Sequence, residues 1–236
     1  VSVSSFSAEQ LETTTPRTTA EAFRAIPGVR SESSGGEGNA NIAVRGLPVA
    51  AGGAKFLQLQ EDGLPIMQFG DIAFGNADIF LRLDNTMQQV ESIRGGTAST
   101  MASNAPGGII NIISKTGLEE SGSVATTIGL DYDTLRTDFE YGGEISDSLL
   151  FHVGGFIRQG EGARNAGYTA NKGGQLKANI TKEFDQGYVR LYFKHLDDRT
   201  IGYLPMPMQS DGSSLPGFDA KSDTPHSAYF LSTLSL

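Results

Sequence analysis

Thiols, histidines, activated serines and paired carboxylates carry most enzyme chemistry, and this sequence places few of them usefully. It has no cysteine, so no thiol nucleophile is available. His152, His195 and His226 are its only histidines, and their separations do not match metal-ligand spacing. Neither a Gly-x-Ser-x-Gly elbow nor a phosphate-binding glycine loop occurs. Asp197-Asp198 offers two adjacent carboxylates, but neighbours on a strand point to opposite faces, so the pair is expected at the solvated base of a loop. The expectation is a protein that is not an enzyme and needs neither metal nor cofactor.

Binding chemistry is better represented. Between Gln68 and Arg82 the chain collects Asp71, Phe74, Asn76, Asp78, Phe80 and Arg82. Carboxylate, amide, guanidinium and ring groups in one segment suit a polyhydroxylated ligand, with rings stacked on sugar faces and amides bonded to hydroxyls. A saccharide is the expected ligand class. The alternative is a solvated loop that packs its own Phe residues. Lys55 ends a Gly- and Ala-rich stretch from Pro48 and is a further candidate. Tyr203, with Met206 and Met208, lies in a long loop expected to close over the ligand.

These groups need elements to hold them, and the chain has two patterns that change at Thr116-Gly117-Leu118. Before that point, short helices and strands alternate irregularly. Ser7 to Gln10 and Thr18 to Glu21 fit the capping box, in which a hydroxyl and a side chain three residues on satisfy free N–H groups. The second helix is predicted from Ala20 to about Ile26, ending at Pro27-Gly28. Strands are predicted at Asn41–Arg45, Phe56–Gln60, Val90–Arg94 and Gly108–Ser114. A small mixed sheet with two or three short helices is the expected result.

After residue 117 the strands become regular and two-sided. Leu135, Phe139 and Tyr141 alternate with Arg136, Asp138 and Glu140. Leu149, Phe151, Val153 and Ile157 oppose His152 and Arg158, although Leu150 and Phe156 blur that register. Leu176, Ala178 and Ile180 oppose Gln175, Lys177 and Asn179; Val189, Leu191 and Phe193 oppose Arg190, Tyr192 and Lys194. Turns at Ser146-Asp147-Ser148 and Phe184–Gly187 are short. The connections around Gly160–Gly173 and from Asp197 to Pro225 are long. Short turns at one end and long loops at the other mark an outer-membrane barrel. A sixth strand is predicted at Ser227–Leu236. Six such strands cannot close a barrel, so more strands are expected in the whole gene product.

Composition fits this picture. There are 30 glycines and only 38% hydrophobic residues, which suits turns and half-polar strands better than a helical bundle. No apolar run approaches 18 residues, so no transmembrane helix is expected, while barrel strands stay possible. A net charge of −9 gives no basic stripe for nucleic acid. No basic and apolar leader follows Val1, and any export signal is expected to have been removed.

Four motifs in order resemble the plug domain of TonB-dependent outer-membrane receptors. Glu21–Val29, ending Ile26-Pro27-Gly28-Val29, is similar to the family's helix and IPGV segment. Ile42-Ala43-Val44-Arg45-Gly46 resembles its I-x-I-R-G strand, and Leu59–Ile66, through Asp62-Gly63, its V-D-G-V-P-V turn. Val90–Ser99 followed by Asn104–Lys115 resembles V-E-x-I-x-x-G-x-x-S and A-P-G-G-x-I-N-I-x-S-K.

That resemblance implies an α+β plug domain over residues 1–117, followed over 118–236 by antiparallel transmembrane β-barrel strands, about six of an expected 22 around a plugged lumen. It implies active uptake of a scarce solute across the Gram-negative outer membrane, with the plug inside the barrel. Periplasmic TonB would supply energy, and the lipid bilayer would surround the wall. The two loops Pro48–Lys55 and Gln68–Arg82 would face outward, toward a small-molecule or oligosaccharide ligand, with ferric siderophores and cobalamin left open. Arg45, Glu91 and Arg94 would form ion pairs within the plug or with the wall. Gly95, Gly96, Pro106, Gly107 and Gly108 would shape close turns. The family's TonB-binding box, which would lie ahead of Val1, is expected to be missing from this chain. A β-rich surface or adhesion protein without transport is the competing reading; it explains the strands but not the ordered motifs.

Overall fold

A computed structural model of the chain describes residues 2–33, 35–38, 40–47, 56–67, 77–95, 101–103, 105–130, 133–162, 166, 168–203 and 209–213. The first half builds a mixed sheet from β1 (Ser2–Ser7), β4 (Leu57–Glu61), β5 (Leu64–Pro65), β6 (Met87–Arg94) and β7 (Gly108–Ser114). Their order is β1-β6-β7-β4-β5, with β4 and β7 parallel and the other pairs antiparallel. A separate ribbon pairs β2 (Val29–Glu32) with β3 (Asn41–Val44).

Two one-turn helices and a 3-10 turn at Ala77–Phe80 cover this sheet. Helix α1 (Ala8–Glu12) begins in a complete capping box, Ser7 and Gln10 each satisfying the other's backbone N–H. Helix α2 (Thr19–Phe23) is capped by Thr18, which accepts from Glu21 N. The Glu21 carboxylate does not close the predicted box. It turns instead to the backbone N–H and guanidinium of Arg17. Burial pushes its pKa up, but the contacts with Arg17 together outweigh that and hold it below the usual carboxylate value.

Both apolar clusters among the described residues lie within this unit. Phe23 and Ile26 follow from α2 and meet Ile42 and Val44 of β3, Leu57 and Leu59 of β4, Val90 of β6, and Ile110 and Ile112 of β7. Full burial of each such side chain contributes about 1.5–3 kcal/mol. Ile109 points to the other face of β7 and packs with Ala105.

The second half is a simple antiparallel meander: β8 (Ser121–Gly129), β9 (Thr134–Ser146), β10 (Leu149–Gly160), β11 (Asn171–Phe184) and β12 (Gly187–Arg199). Most of these strands exceed the roughly 9–11 residues that a tilted strand needs to cross a bilayer. The sheet does not close, and the outer edges of β8 and β12 have no partner strand among the described residues. The predicted strand at Ser227–Leu236 lies outside the described residues.

Burial on this wall is inverted relative to a soluble sheet. Val153, Ile157, Leu176, Ile180, Val189, Leu191 and Phe193 are exposed, whereas Asp138, Glu140, His152, Gln175, Asn179 and Thr181 are buried against the mixed-sheet unit. Register fixes this: Val153 pairs with Tyr141 and Ala178, and Ala178 with Phe193, so the apolar set lines one outer face. Leu150 and Phe156, which blurred the sequence pattern, belong to the inner face and are buried there. The guanidinium of Arg136 lies 4.0 Å from the centre of the Phe156 ring, so an inward aromatic serves as a platform for charge.

Candidate functional site

The inner face of the wall and the surface of the mixed-sheet unit meet through polar groups, and three clusters of charge mark the junction. The outermost lies toward the long-loop ends of β10 and β12. Arg82, just after the 3-10 turn, places Nε 2.7 Å from Asp198 Oδ2 and 3.7 Å from Glu37 Oε1. Arg158 of β10 places Nη2 2.5 Å from the same Asp198 oxygen and also pairs with Glu37. Two cations and two carboxylates therefore alternate, all four side chains within a tenth of full burial. Burial of such charges is tolerable only when every one is paired.

Main-chain contacts reinforce this cluster. Arg82 Nη1 donates to the carbonyls of Asp78, Ile79 and Leu81, closing the 3-10 turn. The Asp78 carboxylate accepts from Ala40 N at 2.9 Å, tying the turn to the Glu37 loop. Desolvation pushes the Asp78 pKa up to about 6, against the lowering effects of that hydrogen bond and of Arg82. Thr200 Oγ1 donates to Glu37 O, and Tyr203 N to Gly35 O.

Midway down, Lys115 donates to Glu140 Oε1 at 3.1 Å, and His152 Nε2 lies 2.8 Å from Glu140 Oε2. Asn179 Nδ2 donates to the Lys115 carbonyl, and Gln175 Nε2 to Asp84 Oδ2. The third cluster centres on Glu61, whose carboxylate is shared by Lys177 at 3.3 Å and Lys194 at 2.6 Å. Two clefts flank these contacts. One of about 400 Å3 lies beside Glu61, Phe80, Lys177, Tyr192 and Lys194. The other, about 450 Å3, runs between α1–α2 and the inner face of β8–β9 and includes Glu37, Arg136, Arg158 and Tyr203.

The candidate ligand residues separate on inspection. Asp78 and Arg82 are buried in the junction, where carboxylates and main chain already use their polar atoms. Phe80 is half-exposed at the mouth of the smaller cleft, and its carbonyl accepts from Lys194. Tyr203 is buried at the rim of the larger one. Lys55, Asp71, Phe74 and Asn76, like Met206, Met208 and Gly96, lie outside the described residues. Asp198 corrects the expectation of a solvated loop base: β12 runs on to Arg199, turning Asp197 outward and Asp198 into the buried cluster.

Arg45, Glu91 and Arg94 meet no wall strand among the described residues. Arg94 Nη2 donates to the hydroxyls of Ser2 and Ser4 on β1, and Glu91 accepts from Gln89. Burial, then the neighbouring Arg45, holds the Arg94 guanidinium below its ordinary pKa. Gly107 and Gly108 let β7 pass close to its neighbours; a Cβ on Gly108 would stand 2.5 Å from Ile93 O. Gly95 has a φ of +107°, and Pro106 is exposed before the glycine pair. Sequence reasoning missed Glu37, Glu61 and Lys115, although the charged inner faces of the strands were a signal that they needed partners.

Residues 1–109 match the TonB-dependent Receptor Plug Domain family. The chain is 29% identical over 171 residues to the ferric enterobactin receptor PirA of Pseudomonas aeruginosa, covering 64% of this chain and 22% of that protein. It is 33% identical over 131 residues to the vitamin B12 transporter BtuB of Vibrio cholerae, covering 54% of this chain and 20% of the relative. The chain thus spans about a fifth of the length of the curated relatives it matches. Among solved structures, the siderophore receptor PirA from Acinetobacter baumannii superposes with a TM-score of 0.62 at 24% identity, over 81% of this chain and 31% of that one. The ferric-catecholate import receptor Fiu from E. coli gives 0.57 at 19%, over 82% and 26%. At these identities the superpositions speak for the fold. These relatives give no support to the expected saccharide.

Proposed function

The chain carries a TonB-dependent receptor plug domain in residues 1–109, followed by antiparallel strands like those that surround the plug in such receptors of the Gram-negative outer membrane, and from that premise we propose that it serves active uptake of a metal-chelate solute of the ferric siderophore and vitamin B12 class. The observation that carries this reading is the inverted wall. Apolar side chains face out, where lipid would meet them, and charged ones face in, where a plug meets them. Residues 1–117 are taken as the plug and 118–236 as the wall segment.

The chemistry of the junction suits a plug that must be held and then moved. Its main apolar cluster is confined to residues 11–112, and the wall adds only a few buried apolar side chains to the junction, Leu150, Phe156, Ile201 and Tyr203. What breaks are ion pairs and hydrogen bonds, whose net strength is modest once water replaces them. In this reading the solute binds at the outward end, above the cluster of Glu37, Arg82, Arg158 and Asp198. A pull transmitted by periplasmic TonB then exchanges those pairs for water and opens a path along the wall. The segments Pro48–Lys55 and Gln68–Arg82 are proposed as the plug's share of the ligand face. No bond is made or broken in the solute, so no catalytic residue is required.

The test is uptake of labelled ferric enterobactin and labelled vitamin B12 by cells with and without the full-length receptor, each with TonB present or deleted. Accumulation of either solute that needs both the receptor and TonB is the expected result. Equal accumulation without the receptor for both solutes and for a panel of other ferric siderophores sinks the reading.

A further inference from the structure

Lys177 and Lys194 stand directly opposite each other on β11 and β12, both on the inner face of the wall. Like charges in directly opposed positions of an antiparallel pair repel, and strands normally avoid the arrangement. Among the described residues, no wall carboxylate pairs with either lysine. Glu140, on the same face, is committed to Lys115 and His152. On the plug, Asp62 is held by the backbone N–H and hydroxyl of Ser114 at 2.8 and 2.7 Å, and Asp84 by Gln175 and Thr86. Glu61 alone among the described residues bridges the pair, giving one carboxylate oxygen to each ammonium.

Glu61 is the last residue of β4, at the tip of a hairpin where it pairs with Leu64. It belongs to the plug, whereas both lysines belong to the wall. Any movement that withdraws this hairpin takes away the one carboxylate in direct contact with the two opposed ammoniums, beside a cleft of about 400 Å3. The cleft offers Tyr192, Phe80 and Leu196 to a ring-bearing body. Asn179 also lines it, and its buried Oδ1 has no hydrogen-bond partner among the described residues, an acceptor available to a solute donor.

We infer that Lys177 and Lys194 form a wall site for an oxyanion group of the transported solute, and that Glu61 occupies it until the plug moves. The carboxylate is an internal stand-in: it offsets one of the two positive charges and keeps the site closed at rest, and the solute's own anionic oxygens replace it during passage. The inference rests on the uptake reading for its biological sense, but the site itself is tested without transport. It also gives direction to the movement, because an arriving anion competes with Glu61 and disfavours return of the hairpin while the path is occupied.

The test uses the full-length receptor in detergent, with citrate as the oxyanion probe and calorimetry as the readout. Glu61→Gln is expected to bind citrate about tenfold or more tightly than the parent, equivalent to about 1.4 kcal/mol, and Lys177→Gln with Lys194→Gln in the same background is expected to abolish that gain. Glu61→Ala repeats the comparison with a smaller side chain. No gain in either variant, or a gain that survives loss of both lysines, overturns the inference. In cells, Lys177→Gln with Lys194→Gln in the otherwise unaltered receptor should lower the maximal uptake rate and leave surface affinity for the solute unchanged; an unchanged maximal rate also overturns it. Failure of the uptake reading looks different, since the parent receptor then accumulates nothing.

Discussion

Arg82 and Asp198 lie 116 residues apart in sequence and meet at 2.7 Å, with the carboxylate side chain completely withdrawn from solvent. The guanidinium belongs to the plug and the carboxylate to the wall, so this contact fastens one to the other. It is also shared: Asp198 answers Arg158 through both of its oxygens, and Arg82 holds the 3-10 turn through three carbonyls. Removing one member therefore leaves at least one charge buried without its partner.

Asp198→Asn should destabilise the full-length protein by about 3–5 kcal/mol, because Arg82 and Arg158 then share a single carboxylate. Arg30→Gln, which breaks the exposed pair with Glu32, should cost no more than about 1 kcal/mol. Urea unfolding of both variants in lipid vesicles makes the comparison. Equal shifts would show that the four-charge cluster holds nothing.

The outer face gives a second prediction, opposite to what exposure alone suggests. Ile180 and Phe193 are solvent-exposed in the isolated chain, and in a soluble protein a lysine at either position would be close to neutral. Facing lipid near the bilayer midplane, each substitution should cost about 2–4 kcal/mol. Unfolding from vesicles reads the difference, and a cost below about 0.5 kcal/mol, the range for ordinary surface changes, contradicts a lipid-facing wall.

A third concerns Gly117, where the sequence pattern changes. Its φ is +80°, and a Cβ built there would stand 2.1 Å from Phe151 O and 2.9 Å from Gly143 N. The chain leaving β7 thus passes against the backbones of β9 and β10 at a point where no side chain fits. Gly117→Ala should cost more than the roughly 1–3 kcal/mol of backbone strain alone, since strand backbone must also shift. Limited proteolysis of the folded variant should show new cutting near residue 117; an unaltered pattern together with unaltered stability refutes this account.

Much of the fold could be read from residue order, and the failures have physical causes. Ser7-x-x-Gln10 announces its helix because the cap is a local exchange of two hydrogen bonds. Strands β9 to β12 announce themselves because each has two chemically distinct faces. Strand β1 escaped notice: Ser2–Ser7 is mostly serine, and what makes it a strand is its ladder with Gln89–Arg94, far along the chain. Phe156 confused the pattern because an inward aromatic serves a guanidinium and not an apolar core. Asp198 was placed in a loop because its strand character comes from pairing with Gly173, and no local signal reports that. For the site, Glu140, Arg158, Lys177 and Lys194 of the wall were visible as charges on polar strand faces, whereas Asp198 was not. On the plug, Arg82 was singled out only as a ligand candidate, and Glu37 was missed because it sits in a connection whose partners are 121 and 45 residues distant.

The last prediction follows from Asp78, which lies in the plug beside that same connection. Its pKa is raised to about 6, chiefly by desolvation, while Ala40 N–H and Arg82 favour the ionised form and Glu37 opposes it. In the unfolded chain the group returns to an ordinary value near 3.9. Between about pH 4 and pH 6 the folded state therefore holds a proton that the unfolded state has lost, and stability falls as pH rises through that window. The gap between those two values corresponds to a contribution of about 3 kcal/mol, present in full below pH 4 and gone above the folded pKa. Asp78→Asn cannot titrate, so its unfolding free energy should lack this component of the slope. Urea unfolding of parent and variant at pH 4 and pH 7 measures it: the parent should lose more stability than the variant on going to pH 7, and parallel changes in the two would mean that folding leaves the carboxylate's pKa where it is in the unfolded chain.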